Sequence, residues 1–125
     1  MADKLDGLSK VFRRKLEAVI SDMAGHGMPI RVTEGLRSQA RQKALYAQGR
    51  TKPGPIVTQL DGVNHRSNHQ RGIAADVCSA NGKPYPPLGT QFWKLLQSSA
   101  HAHELTSGGD WKKFKDWPHL ELSSE

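Results

Sequence analysis

Ser67-Asn68-His69-Gln70-Arg71-Gly72-Ile73-Ala74-Ala75-Asp76 is the stretch on which the reading of this chain turns. Its second half, continued to Cys78, is small and apolar as a buried strand should be. His69 then falls in a loop and Asp76 in the strand that follows. Gly72 gives the loop freedom to fold back, and Ala74 and Ala75 keep bulk away from whatever lies between the two side chains. Further along comes Asp116-Trp117-Pro118-His119. Together the two segments offer two imidazoles, one carboxylate ligand and one spare carboxylate. That is the set a catalytic zinc ion needs, with a coordination position left for water.

Outward from this stretch the pattern mixes helix and strand. Leu8, Val11, Phe12, Leu16, Val19, Ile20 and Met23 recur at helical intervals, predicting an amphipathic helix that ends near Gly25 or Gly27. Ile30–Glu34 alternates as a strand. Ser38 can cap a second helix over about residues 39–48, with Gly49 placed to stop it. Lys52-Pro53-Gly54-Pro55 forces a loop, followed by a short extended piece at Ile56-Val57-Thr58. Residues 81–88, with three prolines, read as surface loop. Thr90 is placed to cap a third helix that covers Phe92, Trp93, Leu95 and Leu96 and fades near His103. Ser107-Gly108-Gly109 breaks the chain, and His119–Leu122 closes it as a strand. The expectation is one α+β domain over residues 1–125, with metal residues at loop–strand junctions.

Bulk composition narrows the function. A chain of 125 residues with 36% hydrophobic and 24% charged residues suits one soluble core. No stretch approaches the ~20 apolar residues that span a bilayer, so no stable membrane insertion is expected. Residues 1–6 lack the basic and apolar blocks of a signal peptide, predicting a product held in the cytoplasm. The single cysteine, Cys78, excludes an internal disulfide and a thiolate-rich metal site. A net charge of +6 and a pI near 9.7 favour a polyanionic partner. Three basic clusters carry that charge: Arg13, Arg14 and Lys15; Arg41, Lys43, Arg50 and Lys52; and Lys112, Lys113 and Lys115. They read equally as ordinary solvated surface or as attraction to an anionic envelope. No helix-turn-helix, zinc-finger or RNP signature is visible, so nucleic acid is not the expected partner.

Ser67, His69, Gly72, Ala74 and Asp76 match S-x-H-x-x-G-x-A-x-D, a pattern that recurs by chance about once in a million windows. The chain thereby resembles the M15 family of zinc D,D-peptidases and L-alanyl-D-glutamate endopeptidases that cut bacterial peptidoglycan, above all its small phage endolysins. The family's second signature, a carboxylate three residues before a ligand histidine, matches at Asp116 and His119. Glu34-Gly35-Leu36-Arg37-Ser38, Leu45-Tyr46-Ala47-Gln48-Gly49-Arg50 and Gly108-Gly109-Asp110-Trp111 are similar to further family segments, so the resemblance covers roughly residues 28–122. Leu36 stands where the family has an aromatic residue. Asn68 and Gln70-Arg71 replace the common Tyr and Asn-Tyr beside the first histidine, in positions that bear on the substrate groove.

The resemblance implies a D,D-peptidase/Hedgehog-like fold, a small antiparallel sheet with about three helices. It implies one zinc ion per chain held by His69, Asp76 and His119, with Asp116 as general base. Arg37 would bind the substrate carbonyl or stabilise the tetrahedral intermediate; an ion pair is its structural alternative. Ser67 would bind substrate or support the loop. The implied activity is hydrolysis of a stem-peptide bond, L-alanyl-D-glutamate in the first instance, by a monomer acting on peptidoglycan. Its endolysin role would have it wait in the host cytoplasm until a membrane pore releases it to the periplasm and cell wall. The alternatives are a D-alanyl-D-alanine carboxypeptidase or dipeptidase, and a non-catalytic zinc-containing wall-binding domain.

Several residues stay open at this level. His65 and His69 have a helical ligand spacing. His101 and His103 point to different faces at a helix end and read as solvated. Cys78 shares a strand face with Asp76, and Glu121 shares one with His119, where it rivals Asp116 as base. Trp93 reads as core, and Trp111 and Trp117 as core or groove wall.

Overall fold

In the computed structural model, which describes residues 4–123, helix α1 (Lys10–Gly25) starts at Ser9. The Ser9 hydroxyl oxygen accepts from the Phe12 N–H, and the helix buries Phe12, Leu16, Val19 and Met23. Val11, counted in the same stripe, is 55% exposed. Of the N-terminal stretch read for a leader, residues 1–3 lie outside the described residues. No helix among the described residues is long and apolar enough to cross a membrane.

The remaining elements are β1 (Ile30–Glu34), α2 (Gln39–Ala47), β2 (Ala74–Ser79), α3 (Gln91–Ala102), β3 (Leu105–Ser107), a 3-10 turn at Gly108–Asp110 and β4 (His119–Leu122). The four strands form one antiparallel sheet in the order β1-β2-β4-β3. The expected α+β class, small antiparallel sheet and three helices are all present.

Strand β3 was not anticipated. It is only three residues long and follows α3 directly, so no alternation announces it, and its pairing with β4 comes from distant sequence. The extended piece expected at Ile56-Val57-Thr58 belongs to no strand. Prolines at 53 and 55 remove ladder donors there, and the Gln42 amide instead donates to Thr58 Oγ1 and the Leu60 carbonyl. Thr90 occupies the N-cap position of α3 without capping it; its hydroxyl donates to the Pro87 carbonyl at 2.8 Å.

The sheet separates stability from chemistry. Ala75 and Val77 of β2, Leu120 of β4 and Leu105 of β3 join Phe12, Leu16 and Met23 of α1 and Trp93 and Leu96 of α3 in one core. Full burial of side chains of this size stabilises by about 1.5–3 kcal/mol each, so this face holds the fold together. The alternate positions point to the other face, where Asp76 lies directly opposite His119. A β-bulge between Val32 and Glu34 shifts the register of β1, so Val32 pairs with Val77 but Glu34 pairs with Asp76. The extra residue turns Glu34 from the core side to the side of Asp76. Glu34, Asp76 and His119 therefore stand in a row across three strands.

Two glycines make the approach to this face possible. Gly72 has φ 74, and its carbonyl accepts from the Ser9 N–H at 2.8 Å. A Cβ there would also press against the Gly7 carbonyl oxygen at 3.0 Å. Gly108 is needed for space: a Cβ would collide with the Asp116 carbonyl and stand 3.1 Å from the His119 Cβ. Gly108→Ala is expected to cost about 1–3 kcal/mol by overpacking and to shift both residues of the second motif. Thermal denaturation together with activity checks this, and a variant with parent-like values of both would remove the packing account.

Candidate metal centre and active site

Strand β2 supplies Asp76, β4 supplies His119, and the loop before β2 folds back to bring in His69. One ligand atom from each lies within 4.8 Å of the others. His69 Nε2 is 3.5 Å and His119 Nδ1 is 3.3 Å from Asp76 Oδ1. The remaining ring nitrogens are already engaged. His69 Nδ1 is 3.0 Å from the Gly35 carbonyl and must donate to it; His119 Nε2 is 2.8 Å from Glu121 Oε1. Such outer partners fix the tautomer and leave the inward nitrogen free for a ligand.

Asp76 Oδ1 is buried and has no hydrogen-bond partner among the described residues. A carboxylate oxygen in that position is costly unless a cation satisfies it. Two imidazole nitrogens and one carboxylate oxygen around it fit a first-row divalent ion, zinc foremost. The alternative pair His65 and His69 does not form. His65 is exposed in a turn whose N–H groups Asp61 Oδ1 accepts, and no helix runs through it.

Protonation without metal follows from the same contacts. Burial opposes ionisation of Asp76, yet the His119 and His69 imidazoles hold its carboxyl well below the usual carboxylate range. Burial alone would lower the His119 pKa, but Asp76 and Glu121 outweigh it and push it up to about 9 from 6.5. A raised pKa stabilises the fold fully below 6.5 and loses that contribution as pH rises through about 9. Metal-free protein should therefore lose stability between those limits, on the order of 3 kcal/mol shared by the His119–Asp76 pair. Metal displaces the His119 proton, so the stabilisation that zinc confers should grow over the same window. Melting curves with zinc and with chelator test the opposite signs; parallel trends would rule out His119 as the proton-bearing group.

Asp116 sits at the rim of the same cleft, a cavity of 610 Å³ also lined by Arg37, Ser67 and Trp111. The Asp116 N–H donates to the Gly108 carbonyl, and its own carbonyl accepts from the His119 N–H, both at 3.0 Å. The backbone thus ties the spare carboxylate to His119. Partial desolvation and the Asp76 carboxylate raise its pKa. Glu121 differs in that its oxygens are committed to His119 at 2.8 Å and Asn68 at 3.1 Å. Burial works against its charge, but the His119 contact lowers its pKa.

Arg37 is more enclosed than a surface ion pair, its side chain 10% exposed. Nε and Nη2 each donate to a Glu34 carboxylate oxygen at 2.9 Å, and Nη1 donates to Gln42 Oε1 at 2.8 Å. These bonds take three of its five donors, and Nη2 also lies 3.9 Å from Asp76 Oδ2. Ser67 lines the cleft and supports the loop: its N–H donates to Gln70 Oε1 and its hydroxyl accepts from the Gln70 N–H.

The sequence does not pick out two contributors, Glu34 and Gln42, as site residues. It marks Asn68 only as a groove position and Trp111 as core or groove wall. Glu34 and Gln42 hold Arg37, Asn68 holds Glu121, and Trp111 tilts against the His119 ring at 5.0 Å between centroids. Trp93 is core, and Trp117 packs against the core beside Gly109. Cys78 is buried and stands outside the ligand cluster. His101 and His103, expected to be solvated, pair with Asp110 at 2.8 Å and Asp22 at 2.7 Å. The basic clusters are partly used within the fold, as in Lys15 with Glu104 and Arg41 with Glu34.

Comparison with known proteins places this arrangement. A family model of the M15 peptidases, described as D-alanyl-D-alanine carboxypeptidase, matches residues 61–122. The peptidoglycan L-alanyl-D-glutamate endopeptidase CwlK of Bacillus subtilis (strain 168) is 35% identical over 124 aligned residues, covering 92% of this chain and 73% of the relative. The chain belongs to the M15 peptidase family. It is accordingly a metallopeptidase rather than a non-catalytic domain, as the motifs led one to expect. Among solved structures, the L-Ala D-Glu endopeptidase ChiX of Serratia marcescens superposes with a TM-score of 0.72 at 25% identity, covering 96% of this chain and 84% of that one. The vancomycin resistance D,D-pentapeptidase VanY, solved with Zn(II), superposes with a TM-score of 0.67, covering 94% of this chain and 73% of that one. At 15% identity VanY speaks to the fold alone.

Proposed function

We propose that this M15 peptidase is a zinc-dependent endopeptidase that hydrolyses the L-alanyl-D-glutamate bond of the peptidoglycan stem peptide. The observation that carries the proposal is the unpartnered Asp76 Oδ1 between two imidazoles, with Asp116 on the same cleft. CwlK and ChiX, both endopeptidases by name for that bond, support the choice of substrate.

His69, Asp76 and His119 would hold the ion, with Gly35 and Glu121 orienting the imidazoles. A divalent ion there supplies Lewis-acid polarisation of the scissile carbonyl and a lowered pKa for water. Asp116 takes the proton that water loses as its oxygen bonds to the carbonyl carbon. The negative charge that develops on the carbonyl oxygen is met by Arg37, whose guanidinium Glu34 and Gln42 hold in place. As the C–N bond breaks, Asp116 returns the proton to the leaving amine. Its raised pKa suits a group that must carry a proton between the two events. Glu121 is the poorer base because His119 and Asn68 already occupy its oxygens.

Digesting purified peptidoglycan and weighing the fragments tests the bond. New L-alanine C-termini and D-glutamate N-termini support the endopeptidase, and loss of product with a chelator supports the metal. Released D-alanine would instead establish the second reading, a carboxypeptidase, which the description of the matching family model favours. A lytic role in phage release, with the enzyme held in the host cytoplasm beforehand, is part of the proposal. The similarity of residues 108–111 to the endolysin branch supports it, and intact permeabilised cells after treatment would count against it.

A further inference from the structure

The metal cleft continues past Asp116. A second depression shares Val57, Thr58, Gln59, Trp111 and Asp116 with it and is extended by Ile56, Phe114 and Lys115. Ile56, Val57 and Phe114 are 52%, 53% and 84% exposed, although side chains of this kind gain by leaving water. Phe114 also adopts φ 55, a conformation that bulky residues rarely take. The ring is thus presented outward at a backbone cost, with little burial inside the chain to offset it. Arg66 and Arg71 line the metal cleft but not this extension. One groove therefore carries Arg66 and Arg71, with the site carboxylates, toward the metal end and its exposed apolar side chains toward the other. There the Lys115 ammonium is turned to the Gly109 carbonyl.

The proposed substrate changes character in the same way. Its L-alanine is joined through the lactyl group to N-acetylmuramic acid, so a sugar lies one residue outward from the scissile carbonyl. D-glutamate and the residues beyond it carry carboxylates. Resting on the endopeptidase reading, we propose that the Phe114 extension is a subsite for the glycan end of the substrate. The Phe114 ring offers its face to the C–H face of an N-acetylated sugar, the apolar wall of Ile56 and Val57 lies beside it, and the Gln59 amide offers polar contacts. The acidic stem then runs toward Arg66 and Arg71. Continuity with the metal cleft through five shared residues is what assigns the occupant.

Two substrates for zinc-loaded full-length enzyme test this: the free stem tetrapeptide, and the same peptide carried on the N-acetylglucosaminyl-N-acetylmuramyl disaccharide. Phe114→Ala is expected to raise KM for the disaccharide substrate roughly 3- to 10-fold, the range of a single aromatic contact. Its kcat and all parameters for the free peptide should not change, and Phe114→Trp should restore the parent KM. Equal effects on both substrates, or none on either, would overturn the subsite. A second measurement is independent of cleavage. Peptide-free disaccharide titrated into zinc-loaded protein should shift the NMR signals of residues 56–59 and 114 in the parent and not in Phe114→Ala. Absence of those shifts in the parent overturns the subsite even if the expected bond is cut. Their presence, with a different bond cut, upholds the subsite and removes the endopeptidase reading alone.

Discussion

Asp116→Asn is expected to lower the rate of peptidoglycan hydrolysis about 100- to 10,000-fold, the usual worth of a positioned acid–base group. Bound zinc should stay at the parent level. The amide keeps the shape of the side chain, and the two hydrogen bonds that tie this residue to Gly108 and His119 are made by backbone atoms. What the variant loses is the ability to accept a proton, and Asp116 is outside the cluster His69, Asp76 and His119. Steady-state rates paired with metal analysis separate the two properties. Parent-like turnover would transfer the base to another group and defeat the assignment. Loss of zinc together with activity would make Asp116 a residue that builds the site and not one that moves a proton.

Asp76→Ala should act in the reverse manner, through metal. Structural zinc sites of four ligands bind with apparent energies of about 10–16 kcal/mol, or about 2.5–4 kcal/mol per ligand. Losing one ligand should therefore weaken zinc binding roughly 100- to 1,000-fold. Activity at limiting zinc should fall with it. The metal-free protein should still fold, but it should lose the stabilisation that Asp76 shares with His119, most visibly below pH 6.5. Competition with a chelating dye measures the affinity, and circular dichroism the fold. Retention of parent affinity would mean that Asp76 Oδ1 does not face the ion. The difference between the variants is diagnostic: one loses chemistry with metal in place, the other loses metal with the fold in place.

Much of this site was legible because local sequence carries it. His69 and Asp76 belong to a single loop-to-strand passage, with Gly72 at the turn where φ is positive, and His119 opens a strand whose alternation is plain. Properties that depend on pairing were hidden. Glu34 looked like one more residue in the Ile30–Glu34 alternation until the bulge reversed its side. Gln42 lies between Arg41 and Lys43 on a polar helix, and nothing local marks it as the residue with 0% exposure that links Arg37 to the 58–60 loop. The partner of His103 is 81 positions away, so no window of sequence could reveal that pair. Strand β3 was missed for the same reason. It is held by β4 and not by any pattern of its own.

The single surplus residue in β1 carries a practical lesson for anyone trimming this scaffold. Deleting Thr33 looks innocuous, since it shortens a five-residue strand by one and removes no ligand. Strand alternation agrees: Glu34 would then follow Val32 directly and stay opposite Asp76, whereas a regular ladder that kept all five residues would set Thr33 there and swing the carboxylate beneath the greasy helices. Pairing, more than length, sorts the side chains of that strand between oil and water.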